Sequence, residues 1–143
     1  MLAGPKNPHV THFISVMSYY GAPSAPSRES IVAGKQIERR DLPPGTTKTK
    51  EQKIFELPLS YFKDGEQYNA LPGLKSCTKP KLFFYGTKDE MNDPEDIKEA
   101  YRESAEPKMI HALNSEHDYR YHPEILEEVN QVVGQFLDKY PIH

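Results

Sequence analysis

The sequence predicts an α/β protein built on a parallel sheet, and three stretches predict it. Leu82-Phe83-Phe84-Tyr85 is a continuous apolar run closed by Gly86, the pattern of a strand covered on both faces. Asp93-Pro94-Glu95-Asp96 then reads as a helix start. It has an aspartate for the N-cap, a proline for the first helical position and two acids for the positive end of the dipole. Met109 to Leu113 supplies a second short strand. A right-handed crossover makes two such strands parallel, so the turns that follow them open at the same carboxyl edge of the sheet.

Taken in order, Leu2-Ala3-Gly4 with Lys6-Asn7-Pro8 reads as the last turn and exit of a helix. Thr11 to Tyr20 (THFISVMSYY) is rich in β-branched and aromatic residues, a strand broken by Gly21-Ala22-Pro23. Tyr19 and Tyr20 fall near the carboxyl edge, either lining a pocket or packed on their neighbours. SRESIVAGKQIERRDL offers a short helix capped by Ser27 or Ser30, broken by Pro43-Pro44-Gly45. TTKTKEQK is a polar run. Ile54-Phe55, Leu57, Leu59, Tyr61-Phe62, Leu71 and Leu74 are apolar clusters between Pro58, Asp64-Gly65 and Pro72-Gly73, as in short helices packed over something. Arg39 and Arg40 stand beside Glu38 and Asp41, a solvated mixed-charge face rather than an anion site.

After the strand at 80–85, Ile97, Ala100, Tyr101 and Ala105 keep one helix face apolar over 94–105 until Pro107. The second strand covers 108–113, and Asn114 to Asp118 form a turn. Ile125, Val129, Val132, Val133, Phe136, Leu137 and Tyr140 then make a sustained apolar stripe at helical period over 123–139. Pro123 and Glu124 suit its first turn and Lys139 its last. Such a helix covers one face of a sheet.

Asp89 stands in the turn after the first of the paired strands and His117 in the turn after the second, so the crossover brings both to one edge. An aspartate beside an imidazole fixes the ring's tautomer and stabilises the imidazolium, leaving the other ring nitrogen as a base. G-T-K-D (86–89) after one strand and S-E-H-D (115–118) after the next, closed by a helix, resemble the C-terminal part of the α/β-hydrolase family. The resemblance implies a partial doubly wound parallel sheet, with 11–20, 80–85 and 108–113 as the last strands of that fold. It also implies a lid- or cap-like insertion at about 24–78, a catalytic acid at Asp89 and a catalytic histidine at His117. Glu90 is the adjacent rival, Asp93 is a helix cap, and Asp118 would orient the ring only in place of Asp89. His9, His12, His122 and His143 read as surface residues and His111, inside a strand, as packed.

The family runs serine, acid, histidine along the chain, with the serine in a G-x-S-x-G elbow. No such motif occurs here: Ser15, Ser18 and Ser24 all lack the flanking glycines. The expectation is one C-terminal portion of an α/β-hydrolase domain over 1–143, a truncated product inactive alone. Its full-length form would hydrolyse an ester, amide or related bond of a small organic substrate. The nucleophile would be a serine, or an aspartate in an epoxide-hydrolase or dehalogenase type, with no metal or organic cofactor. The alternative is a non-catalytic fragment or association module. A sheet cut from a larger one leaves the 11–20 strand as an exposed edge, open to the missing N-terminal half or to self-association.

Composition narrows the partners. The apolar share of 36% lies below the usual 45–50% or so, and thirteen prolines and eight glycines suit a loop-rich middle. A net charge of −3 with 27% charged residues argues against a nucleic-acid or anionic-membrane surface. Cys77 is the sole cysteine, which allows no internal disulfide and fits a reducing compartment. Nothing beside it in sequence activates it as a nucleophile. MLAGPKNPHV has no signal-peptide pattern, and no apolar run approaches the roughly 20 residues that span a bilayer. The expected location is cytoplasmic. Zinc-ligand spacing and internal repeats are absent from the sequence.

Overall fold

The computed structural model describes residues 3–21, 31–41 and 52–142, with the backbone alone at 38–41, 52 and 53. In chain order these residues form strands β1 (Phe13–Val16), β2 (Ile31–Val32), β3 (Lys35–Asp41) and β4 (Gln52–Pro58), then helices α1 (Leu59–Gly65) and α2 (Leu71–Ser76). Strand β5 (Lys81–Gly86), helix α3 (Pro94–Glu103), strand β6 (Lys108–Leu113) and helix α4 (Pro123–Lys139) complete the chain. Two compact units result, Met1–Gly21 with Ala70–His143 and Ala22–Asn69.

The larger unit is a mixed α/β structure on a parallel sheet in the order β1-β5-β6, as the sequence predicts. Ile14 lies opposite Leu82, and Leu82 opposite Met109. Successive side chains of a strand point to opposite faces, and β5 is apolar on both because both are covered. Leu82 and Phe84 pack with Met17, Leu113 and the α4 residues Ile125, Val129, Val132 and Phe136. Phe83 packs on the other side with Tyr20, Leu74, Ile97 and Ala100. Asp93 caps α3 by accepting the Glu95 N–H at 2.9 Å. Lys81, at the amino end of β5, is buried with its ammonium donating to the carbonyls of Cys77 and Lys79 at 2.6 and 2.7 Å. That burial pushes its pKa down.

Several sequence boundaries are corrected. The strand expected over 11–20 ends at Val16, because Met17 turns into the left-handed region at φ 49°. The helix expected to 105 ends at Glu103, where the Ser104 hydroxyl and N–H both bond back to the Ala100 carbonyl. In place of the expected helix exit stands a single 3-10 turn at Gly4–Lys6.

The smaller unit carries an antiparallel sheet, β2-β3-β4. The short helix expected within SRESIVAGKQIERRDL is instead β2, a tight turn and β3. Ala33 and Gly34 both take positive φ, 50° and 76°, and a two-residue turn of that kind joins strands with matching twist. Ile54, Phe55 and Leu57, expected in short helices, belong to β4, while Leu59, Tyr61 and Phe62 are in α1 and Leu71 and Leu74 in α2. Ser27, Ser30, Pro43-Pro44-Gly45 and most of the polar run lie outside the described residues, as do the side chains behind the mixed-charge reading of Arg39 and Arg40. Among the described residues no helix is long and apolar enough to cross a membrane.

Candidate active site

Because β5 and β6 are parallel, the turns after Gly86 and Leu113 leave the sheet side by side. They are laced by backbone bonds, from Thr87 N–H to Leu113 O at 2.8 Å and from Lys88 N–H to Ser115 O at 3.1 Å. Gly86 permits this approach. A Cβ there would meet Ser115 O at 2.6 Å and Met17 Cε at 2.7 Å, and the first of these is backbone. Gly86→Ala should therefore push the turns apart, costing about 1–3 kcal/mol of stability. Denaturant melts measure that cost, and an unchanged midpoint would show that the turns do not meet here.

The gap between the turns holds the acid and the histidine. Nδ1 of His117 lies 3.1 Å from each carboxylate oxygen of Asp89. The Asp89 side chain is fully buried and that of His117 is 21% exposed, so the pair is sheltered and the ring still reaches the surface. Asp89 Oδ1 also accepts the N–H groups of Met91 and Asn92, at 2.9 and 3.0 Å. A carboxylate can only accept, so Nδ1 carries the proton that joins the pair. In the neutral ring Nε2 then holds the lone pair.

The neighbours fall into place around this pair. Glu90 does not replace Asp89; its Oε2 accepts the backbone N–H of His117 at 3.1 Å. Asp118 faces Arg120 at 3.2 Å rather than the imidazole. His111 is half-buried in β6 with Nε2 2.7 Å from Glu128. His12, expected at the surface, is half-buried, with Nε2 2.7 Å from the Tyr140 carbonyl and its ring edge-on to Phe136. His122 is the residue before α4, 3.5 Å from Glu116, His9 is exposed, and His143 lies outside the described residues. Cys77 is buried.

Of the serines considered, Ser15 is buried and accepts the Tyr20 hydroxyl at 2.6 Å, and Ser18 leans on the Val16 carbonyl at 3.5 Å. Ser24 lies outside the described residues. Burial pushes the Tyr20 phenol up to about 12. Tyr20 is thus packed as well as pocket-lining, since with Tyr19, Gly21, Leu71, Asp96 and Glu99 it borders a small cavity of about 120 Å³. Sequence reasoning passed over Asn92, although an Asp with a turn residue three places on is a signal for a side chain that bonds its own loop. Among the described residues no group of three or more His, Cys, Asp or Glu is placed to hold a metal ion.

No protein-family model matches the chain, and no curated protein matches its sequence. Solved structures do match it in shape. The esterase domain of a Rhodothermus marinus protein superposes with a TM-score of 0.67 at 14% identity, over 97% of this chain and 55% of that one. Est1E from Butyrivibrio proteoclasticus, with ferulic acid bound, gives 0.59 at 16% identity over 96% and 54%. The chain spans about half the length of each of these esterases. At such identities the likeness is one of fold, and it agrees with the order of strands, turns and helices described above: the chain carries part of an α/β-hydrolase fold.

Proposed function

We propose that this chain supplies the acid–base pair of a hydrolase that cleaves an ester, amide or related bond of a small organic substrate. The observation that carries this reading is the contact of His117 Nδ1 with both oxygens of a buried Asp89. Nε2 takes the proton of the attacking hydroxyl, and Asp89 stabilises the imidazolium that forms. The imidazolium then protonates the leaving alcohol or amine. In the second half-reaction a water is activated in the same way, and the acyl group leaves as the acid. The nucleophile and the oxyanion-binding amides come from outside these 143 residues, since no G-x-S-x-G elbow occurs in them. In this reading the insertion expected at about 24–78 is the lid of that hydrolase.

The test is complementation. The purified chain should turn over activated esters no faster than free imidazole, because its sequence lacks the elbow that supplies the nucleophile and an oxyanion-binding amide. Adding a separately expressed N-terminal half that bears the elbow should produce turnover. Ester cleavage by the chain alone, surviving His117→Ala, would place the chemistry elsewhere.

One observation favours a second reading, an association module. Within the described sheet β1 pairs only with β5, its Ile14 is 41% exposed, and no formally charged residue stands between Lys6 and Arg28. Natural edge strands are guarded by charge, and this one is not. The chain alone should then self-associate with rising concentration in sedimentation velocity, and Ile14→Lys should keep it monomeric. A wild-type chain that stays monomeric throughout removes this reading.

A further inference from the structure

We propose that Asn92 is the positioning residue for the acid, fastening the Asp89 turn to the end of β1; this rests on the hydrolase reading of the Asp89–His117 pair. Asn92 is half-buried and works in two directions. Its backbone N–H donates to Asp89 Oδ1 at 3.0 Å, and its side-chain Nδ2 donates to the Met17 carbonyl at 2.6 Å.

The far end of that link is rigid. Met17 is buried in the core against Phe84 and α4, and its N–H is held by the Phe84 carbonyl at 3.0 Å. Its positive φ of 49° ends the strand and marks a backbone that the surroundings hold in an unfavourable region. A carbonyl fixed on both sides in this way is an anchor. The acid turn reaches the surface beyond Asp89, where Met91 is half exposed and Glu90 is exposed. Asn92 transfers the rigidity of β1 to this turn. Its own N–H stays aimed at Oδ1, and the carboxylate keeps the orientation in which both oxygens face Nδ1.

Two substitutions separate this role from ordinary packing. Asn92→Asp keeps the shape but replaces the donor with an oxygen, which repels the Met17 carbonyl. Asn92→Ala removes the link without repulsion, so one variant remains informative if the other does not fold. The readout is the imidazole tautomer of His117 in the folded full chain, from nitrogen NMR in mildly alkaline buffer. The wild-type ring should hold its proton on Nδ1, and Asp89→Asn should move it to Nε2. Both Asn92 variants should lower the Nδ1–H to Nε2–H ratio about fivefold, the worth of the one neutral hydrogen bond they remove. A purely structural asparagine would lower the melting temperature and leave the ratio of the folded protein at the wild-type value. If Asp89→Asn shifts the tautomer and neither Asn92 variant does, the positioning role is overturned and the pair stands. If Asp89→Asn itself leaves the tautomer unchanged, it is the pair that fails.

Discussion

In the complemented enzyme, His117→Ala should abolish ester turnover and Asp89→Asn should lower it about 10⁴-fold. The two effects differ in cause. Alanine leaves no group to take the nucleophile's proton, so the attacking hydroxyl stays protonated and the leaving group departs unassisted. Asparagine keeps the geometry of the turn but presents an amide N–H to Nδ1. The ring then carries its proton on Nε2, the nitrogen that must be the base. The Asp89 turn should itself survive the change, because the asparagine carbonyl can still accept from Met91 and Asn92. Steady-state kinetics on an activated ester, with circular dichroism to confirm folding, measures both. Full activity in Asp89→Asn would assign the acid's role to another residue.

The largest loss of stability is expected from Phe84→Ala, about 3–5 kcal/mol. Phe84 has no exposed surface and lies where β5 meets α4, among Met17, Leu113, Val129 and Phe136. Its ring also meets His111 edge-on, with centroids 5.8 Å apart. Removing it forfeits the transfer free energy of the ring and leaves a cavity that rigid neighbours on a sheet fill poorly. Against the roughly 5–15 kcal/mol that holds an ordinary domain together, this is a large fraction. The urea midpoint should fall steeply with little change in slope. A near-neutral result would mean that α4 does not seat on this face.

The second half of the chain was legible because its signals are local. The apolar run of β5, the Asp93-Pro94 start of α3 and the stripe of α4 each sit within one element, and their bounds lie within two residues of expectation at every end. The acid and the histidine could be paired for the same reason, since a crossover of one helix fixes where its flanking turns open. Beyond that, the deciding interactions are not local. Nothing in THFISVMSYY announces that Met17 will take a positive φ, because its carbonyl is claimed by Asn92 from another turn. Ala33-Gly34 lacks the Asn-Gly or Asp-Gly pair that marks a hairpin, and the charged run after it suits a helix as well as a strand. Asn92 carries no local signal of its longer reach, since its partner Met17 lies just past the end of β1, far away in sequence.

The chain leaves the larger unit and returns to it at a single place. The Ala70 N–H donates to the Tyr20 carbonyl at 2.9 Å, so the last residues of the first segment and the first of the second are bonded neighbours within the larger unit. A stretch attached at such a seam is interchangeable. It can be lengthened, shortened or swapped without rerouting the connection from β1 to β5, and chain entropy objects little, at about 0.6 kcal/mol for each doubling of a flexible loop. Evolution can therefore revise residues 22–69 on a schedule of its own while the frame that holds Asp89 against His117 stays fixed.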